Sequence, residues 1–105
     1  MNVYLEITRP TNALMAAVAV LLMAIINFNY GIPIILGFIT VLFATSGGNV
    51  INDFFDYKID KINKPQRPIP SGRISLKNAK NYSIILFLIS ILLSGLISYL
   101  VKDLT

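Results

Sequence analysis

Asn49, Asn52, Asp53, Asp56 and Asp60 recur through the stretch GGNVINDFFDYKID, residues 47–60. On a helix advancing about 100° per residue they fall within an arc of roughly 100°. Lys58 lies on the opposite side, so no cation on that face neutralises Asp53, Asp56 and Asp60. Like charges three or four residues apart destabilise a bare helix by about 0.2–0.5 kcal/mol per pair. The pattern therefore calls for a positive partner, and a hard divalent cation that takes oxygen ligands is the simplest. Mg²⁺ suits this role because it binds through one or two carboxylates and leaves its other positions to phosphate oxygens and water. Arg67 and Arg73 can grip a phosphate through two guanidinium arms, and Lys64 adds a point charge. The chemistry these residues suit is the binding and departure of a diphosphate.

The elements that must position them are those of a membrane protein. Of 105 residues, 55% are hydrophobic and only 13% charged, about half the charged share of a soluble domain. Mean hydropathy is +0.71. The absence of cysteine and histidine excludes disulfides, thiolate or imidazole metal sites and histidine acid–base catalysis. Net charge is +4, and seven of the nine Lys and Arg residues lie between Lys58 and Lys80. Between two apolar spans such a cluster reads as a cytoplasmic loop near membrane lipid, with no nucleic acid partner.

Taken in order, residues 1–12 predict a short interfacial helix or arm, with Tyr4, Leu5 and Ile7 at headgroup level and Thr11 or Asn12 as the next N-cap. No signal peptide is read there, since Glu6 and Arg9 precede the apolar run and no small-residue cleavage pattern follows. Three transmembrane helices are predicted near 11–30, 33–57 and 76–101, each close to the roughly 20 residues needed to cross hydrocarbon. Asn27, Asn29 and Tyr30 would sit at the far interface, and Pro33 suits the first position of the second span. The small run Ala44-Thr45-Ser46-Gly47-Gly48 permits close helix packing. Lys61 to Ser75, with three prolines and a Ser-Gly turn, reads as a basic loop of restricted freedom, and Ser75 as the cap of the third helix. The connection between the first two spans carries no charge, whereas the second carries the basic cluster. The predicted protein is thus multi-pass, with N-terminus and basic loop cytoplasmic and Lys102-Asp103 ending a helix on the other side.

The order of residues adds a resemblance. Asn52-Asp53-x-x-Asp56-x-x-x-Asp60 followed by Asn63-Lys64-Pro65-x-Arg67-Pro68-Ile69-Pro70-Ser71-Gly72 resembles the first aspartate-rich signature of UbiA-type intramembrane prenyltransferases. The joint match is far more specific than a lone DxxD, and with Arg9-Pro10-Thr11-Asn12 it covers nearly the whole chain. Within the family, YLEITRPTN and NDFFDYKIDKINKPQRPIPSGRIS look most like the archaeal digeranylgeranylglyceryl phosphate synthases.

The resemblance implies an all-α transmembrane bundle, with this chain as the three-helix N-terminal portion of a nine-helix fold. It implies Mg²⁺-dependent transfer of a prenyl group, geranylgeranyl in the archaeal lipid enzymes, from a prenyl diphosphate donor to a lipid acceptor such as geranylgeranylglyceryl phosphate. Carried over, Asn52, Asp53, Asp56 and Asp60 match the catalytic metal–diphosphate motif. Lys64 and Arg67 match the basic stretch after it, and Arg9 with Asn12 match cavity-facing positions of the first helix. Asn49 and Arg73 join the substrate-binding set from the residue reading alone.

The family carries a second aspartate-rich motif in its second half, which Tyr99-x-x-Lys102-Asp103 echoes only faintly. The expectation is therefore an incomplete, inactive fragment, with a second chain as one source of the missing half. Two alternatives stand beside it: prenyl transfer to an aromatic acceptor of quinone or chlorophyll type, and a non-enzymatic three-span protein binding anionic lipid through its basic loop. The CDP-alcohol phosphotransferases are set aside because their motif begins with Asp-Gly, a pair this sequence lacks.

Overall fold

The computed structural model describes residues 2–26 and 31–102, with side chains as far as Leu100. Among them the chain forms helices α1 (Val3–Ile7), α2 (Pro10–Ile26), α3 (Ile32–Phe55), α4 (Tyr57–Asn63) and α5 (Leu76–Lys102), and no strand. The expected all-helical fold is present. The expected positions of Asn27, Asn29, Tyr30 and Asp103 lie outside the described residues.

Local chemistry explains most boundaries. Asn2 caps α1, its side-chain oxygen accepting from the Tyr4 amide at 2.8 Å. Helix α2 starts at Pro10 rather than after Thr11 or Asn12, because the Arg9 carbonyl accepts the first helical bond, from the Ala13 amide at 3.0 Å. Pro10 has no amide hydrogen to leave unpaired in that first turn. Gly31 at φ 118° precedes α3, which begins one residue before Pro33. Ser75 caps α5 as expected, its hydroxyl accepting from the Asn78 amide at 3.0 Å.

The 24 residues of α3 and the first 25 of α5 are long and apolar enough to cross a membrane. At about 1.5 Å per residue they extend for roughly 36–38 Å. The described part of α2 is a shorter apolar helix of 17 residues. Large apolar side chains, among them Ile85, Leu88, Ile91 and Leu92 of α5 and Leu14, Met15 and Leu22 of α2, face outward. Water would penalise such faces, whereas lipid accepts them; this is a membrane protein.

Helix α3 is the spine, with α2 and α5 packed on it. Gly47 sets the approach to α5: a Cβ there would lie 3.3 Å from Leu86 Cβ and from the Phe87 ring. Ala13 and Ala17 give α2 a small, fully buried face. Span hydroxyls bond to carbonyls, Thr40 to Leu36 and Ser46 to Leu42 at 2.7 Å, and Ser90 across to Thr40 at 3.3 Å. Those bonds remove polar groups that lipid could not solvate.

The core gathers at one end, where Ile7, Val50, Ile69, Ile74, Ala79 and Leu86 are buried together. Ile7 is therefore a core residue and not a headgroup anchor, while Tyr4 and Leu5 are exposed. The 61–75 segment is ordered by its own turns. Helix α4 occupies it to Asn63, the Arg73 amide donates to the Pro68 carbonyl at 3.1 Å, and Gly72 supplies a left-handed residue at φ 83°.

Candidate functional site

The second predicted span, 33–57, does not run unbroken. At Asp56 the backbone leaves helical geometry, with φ −87° and ψ 8°, and α4 begins at Tyr57. Asn49, Asn52 and Asp53 therefore belong to α3 and Asp60 to α4, with Asp56 at the joint. The single helical arc inferred from the sequence is divided between two elements.

The positive partner that the carboxylates require comes from elsewhere in the chain. Asp53 is only 3% exposed at the end of α3. Its Oδ1 accepts from Arg9 Nη2 at 2.5 Å and from Arg67 Nη1 at 3.2 Å. The same Arg67 nitrogen donates to Asp60 Oδ2 at 3.2 Å, tying α4 back onto the end of α3. A buried carboxylate survives only when paired and hydrogen-bonded, and the two guanidinium groups meet that condition.

Arg9 reaches Asp53 from an unusual backbone. Its φ of 51° lies in the left-handed region, between the end of α1 and Pro10. A side-chain-bearing residue is rarely found there, and such strain persists where surrounding structure over-determines it. Asn49 supplies part of that structure: buried in α3, it donates through Nδ2 to the Thr8 carbonyl at 2.8 Å, next to Arg9. Asn49 thus holds the α1 arm in place and is not open to a ligand.

Around this cluster lie three concavities that share Arg9. A cleft of about 370 Å³ is lined by Asn52, Asp56, Ile59, Asp60, Asn63, Lys64, Arg67 and Arg9. A smaller one of about 200 Å³ lies between Glu6, Arg9, Asp53, Gln66, Arg67 and Pro68. The largest, about 710 Å³ and open to the outside, runs from Arg9 along Pro10, Thr11, Asn12, Met15 and Ala16 of α2. The polar cleft and this mostly apolar groove therefore meet at one residue, Arg9.

The structure brings Arg9, Asn52, Asp56, Asp60, Lys64 and Arg67 to the cleft, and puts Asn12 on the adjoining groove. Arg73 is elsewhere, with Nη1 at 2.6 Å from Glu6 Oε2 and Nη2 donating to the Gln66 carbonyl at 2.7 Å. Asn63 and Gln66 line the clefts but do not enter the sequence-derived set. Their proximity to the aspartate-rich stretch was the available signal.

No group of three or more acidic side chains among the described residues is close enough to hold a metal by itself. The cleft instead offers two carboxylates, Asp56 and Asp60, beside the carboxamides of Asn52 and Asn63. This hard-oxygen set fits a cation that takes its other ligands from phosphate and water, not an all-protein cage. With Arg9, Lys64 and Arg67 also lining it, the cleft can receive a strongly anionic head group, and the groove an apolar tail.

The UbiA prenyltransferase family profile matches residues 12–105. The chain belongs to the UbiA prenyltransferase family. It is therefore related to enzymes. It is 62% identical over 101 residues to the digeranylgeranylglyceryl phosphate synthase of Methanobrevibacter smithii, covering 96% of this chain and 36% of that protein. With the enzyme of the same name from Methanosphaera stadtmanae it shares 63% identity over 98 residues, 93% of this chain and 36% of the relative. A solved structure, described as "Structural and mechanistic insights into the biosynthesis of Digeranylgeranylglyceryl phosphate synthase in membranes", superposes with a TM-score of 0.85 at 43% identity. The match covers 90% of this chain and 35% of that one. The chain thus spans about a third of the length of these UbiA relatives.

Proposed function

We propose that this chain forms the head-group end of a UbiA prenyltransferase that moves a geranylgeranyl group from its diphosphate onto geranylgeranylglyceryl phosphate, in archaeal ether-lipid synthesis. The observation that carries the proposal is the meeting, at Arg9, of an anion-receiving polar cleft with an apolar groove along α2. The donor's diphosphate occupies the cleft and its first isoprene units the groove. Relatives named as digeranylgeranylglyceryl phosphate synthases favour the lipid acceptor over an aromatic one.

Asp56 and Asp60, helped by Asn52, are the groups that would hold Mg²⁺. Bound there, the ion supplies charge neutralisation for a diphosphate held among carboxylates and stabilises it as a leaving group. Arg67 and Lys64 bind the diphosphate oxygens from the loop side, and Arg9 from the turn between α1 and α2. Asp53, paired through Oδ1 with two arginines, orients those guanidinium groups. The site faces the cytoplasm, on the positively charged side of the membrane-spanning helices. The remainder of the chamber, including a second acidic motif, comes from the portion of the fold that this chain does not span.

Isothermal titration of the detergent-purified chain with geranylgeranyl diphosphate tests the reading. Binding should require Mg²⁺ and weaken at least tenfold in Asp56→Ala and in Arg67→Ala. Binding that is indifferent to Mg²⁺ and to both substitutions would refute the site and favour a protein that attracts anionic lipid through its exposed lysines.

A further inference from the structure

Arg9 and Arg67 converge on one oxygen of Asp53, yet they belong to segments far apart in sequence. Near each of them, in the same stretch of chain, lies one member of a second ion pair. Glu6 lies one turn before Arg9, and the Arg9 amide donates to the Glu6 carbonyl at 3.1 Å. Arg73 donates to the carbonyl of Gln66, the residue preceding Arg67, and through Nε to the Ser71 hydroxyl at 3.0 Å. Between the two segments, Glu6 Oε2 lies 2.6 Å from Arg73 Nη1.

We infer that Glu6 and Arg73 are positioning residues: a clasp joining the segment that carries Arg9 to the segment that carries Arg67, which sets the spacing of the two guanidinium groups at the cleft. Neither acts on the reacting atoms. Their effect passes through backbone, because the Glu6 carbonyl holds the strained turn at Arg9 and the Gln66 carbonyl fixes the start of Arg67. Planar guanidinium recognition depends on orientation, so a loosened pair binds an anion less tightly even when both charges remain. The inference rests on the diphosphate reading above for its ligand, but the clasp itself is a statement about geometry.

The sequence contains no cysteine, so spin labels can be placed singly. Labels at Thr11→Cys and Pro65→Cys, both exposed, report the spacing of the two segments by pulsed electron resonance. The clasp is half-exposed on both partners, which limits its weight; about a three- to fivefold loss in affinity for geranylgeranyl diphosphate with Mg²⁺ is expected in Glu6→Gln or Arg73→Gln. Both variants should broaden the label distance distribution. The exchanged pair, Glu6→Arg with Arg73→Glu, should narrow it again and recover affinity, which a merely destabilised fold would not do.

Unchanged distances in both single variants would overturn the clasp, whatever the ligand does. Broadened distances with undiminished binding would overturn its positioning role. Failure of the unsubstituted chain to bind geranylgeranyl diphosphate would overturn the diphosphate reading and the positioning role with it, while the distances still decide whether the clasp exists.

Discussion

Asp53 and Asp56 stand three residues apart and lead to opposite experimental behaviour. Asp53 is buried and receives charge-assisted hydrogen bonds from Arg9 and Arg67. Each such bond contributes about 1.5–3 kcal/mol when desolvated. The guanidinium side chains here are 35% and 25% exposed, so water recovers part of that when the carboxylate is removed. Arg67 also keeps Asp60. Asp53→Ala should therefore destabilise the fold by about 2–4 kcal/mol, less than the sum of two fully buried bonds. Asp53→Asn, which keeps the volume and one acceptor, should cost about half as much. Asp56 is exposed at the joint and carries no ion pair among the described residues. Asp56→Ala should change stability by no more than about 0.5 kcal/mol, while removing a carboxylate from the cleft. Unfolding of the micelle-bound protein by increasing dodecyl sulfate, followed by far-ultraviolet circular dichroism, measures both. Wild-type resistance in Asp53→Ala, or equal losses in the two variants, would refute the assignment of one aspartate to the scaffold and the other to the ligand.

Three further outcomes are expected. Gly48→Ala meets no atom within 4 Å and should stabilise α3 by about 0.5–1 kcal/mol, whereas Gly47→Val must push into Leu86 and Phe87 and should destabilise by about 1–3 kcal/mol; the same unfolding assay compares them. Membrane-impermeant amine labelling of right-side-out vesicles should leave Lys64 unmodified until the membrane is opened, and modification of intact vesicles would reverse the proposed topology. The 105-residue chain alone, given geranylgeranyl diphosphate, Mg²⁺ and geranylgeranylglyceryl phosphate, should show no multiple-turnover ether formation. Its helices leave large apolar faces uncovered and cannot exclude water from a reactive allylic cation; sustained turnover would show that this third of the fold is sufficient.

Hydropathy and punctuation made the helices legible, because chain length in lipid and the chemistry of Ser75, Gly31 and Pro33 act locally. The break at Asp56 was not legible: no glycine or proline marks it, and Asn52 and Asp60 continue the backbone hydrogen bonding on either side. The demand for a positive charge near Asp53 was readable from helical spacing. Its source was not, since Arg9 lies 44 residues away and Arg67 on a folded-back loop. Periodicity compares neighbours on one helix and is blind to a counter-charge delivered by another segment. For the same reason Arg73 read as an anion ligand from its charge and loop position, although Glu6 holds it.

The sequence separation of these partners also orders the events of biogenesis. Chains emerge from the ribosome N-terminus first, so Arg9 is already at the membrane surface when α3 arrives with Asp53. The acidic end of that helix meets a counter-ion as soon as α2 and α3 pair, before α5 exists, and a helical hairpin can be accepted into the bilayer without a stranded charge. Arg67 follows 14 residues after Asp53 and completes the neutralisation while the third long helix is still being made. An insertion intermediate ending near residue 75 would thus already contain its full electrostatic lock. Losing Arg9 would be felt first as a defect in membrane integration.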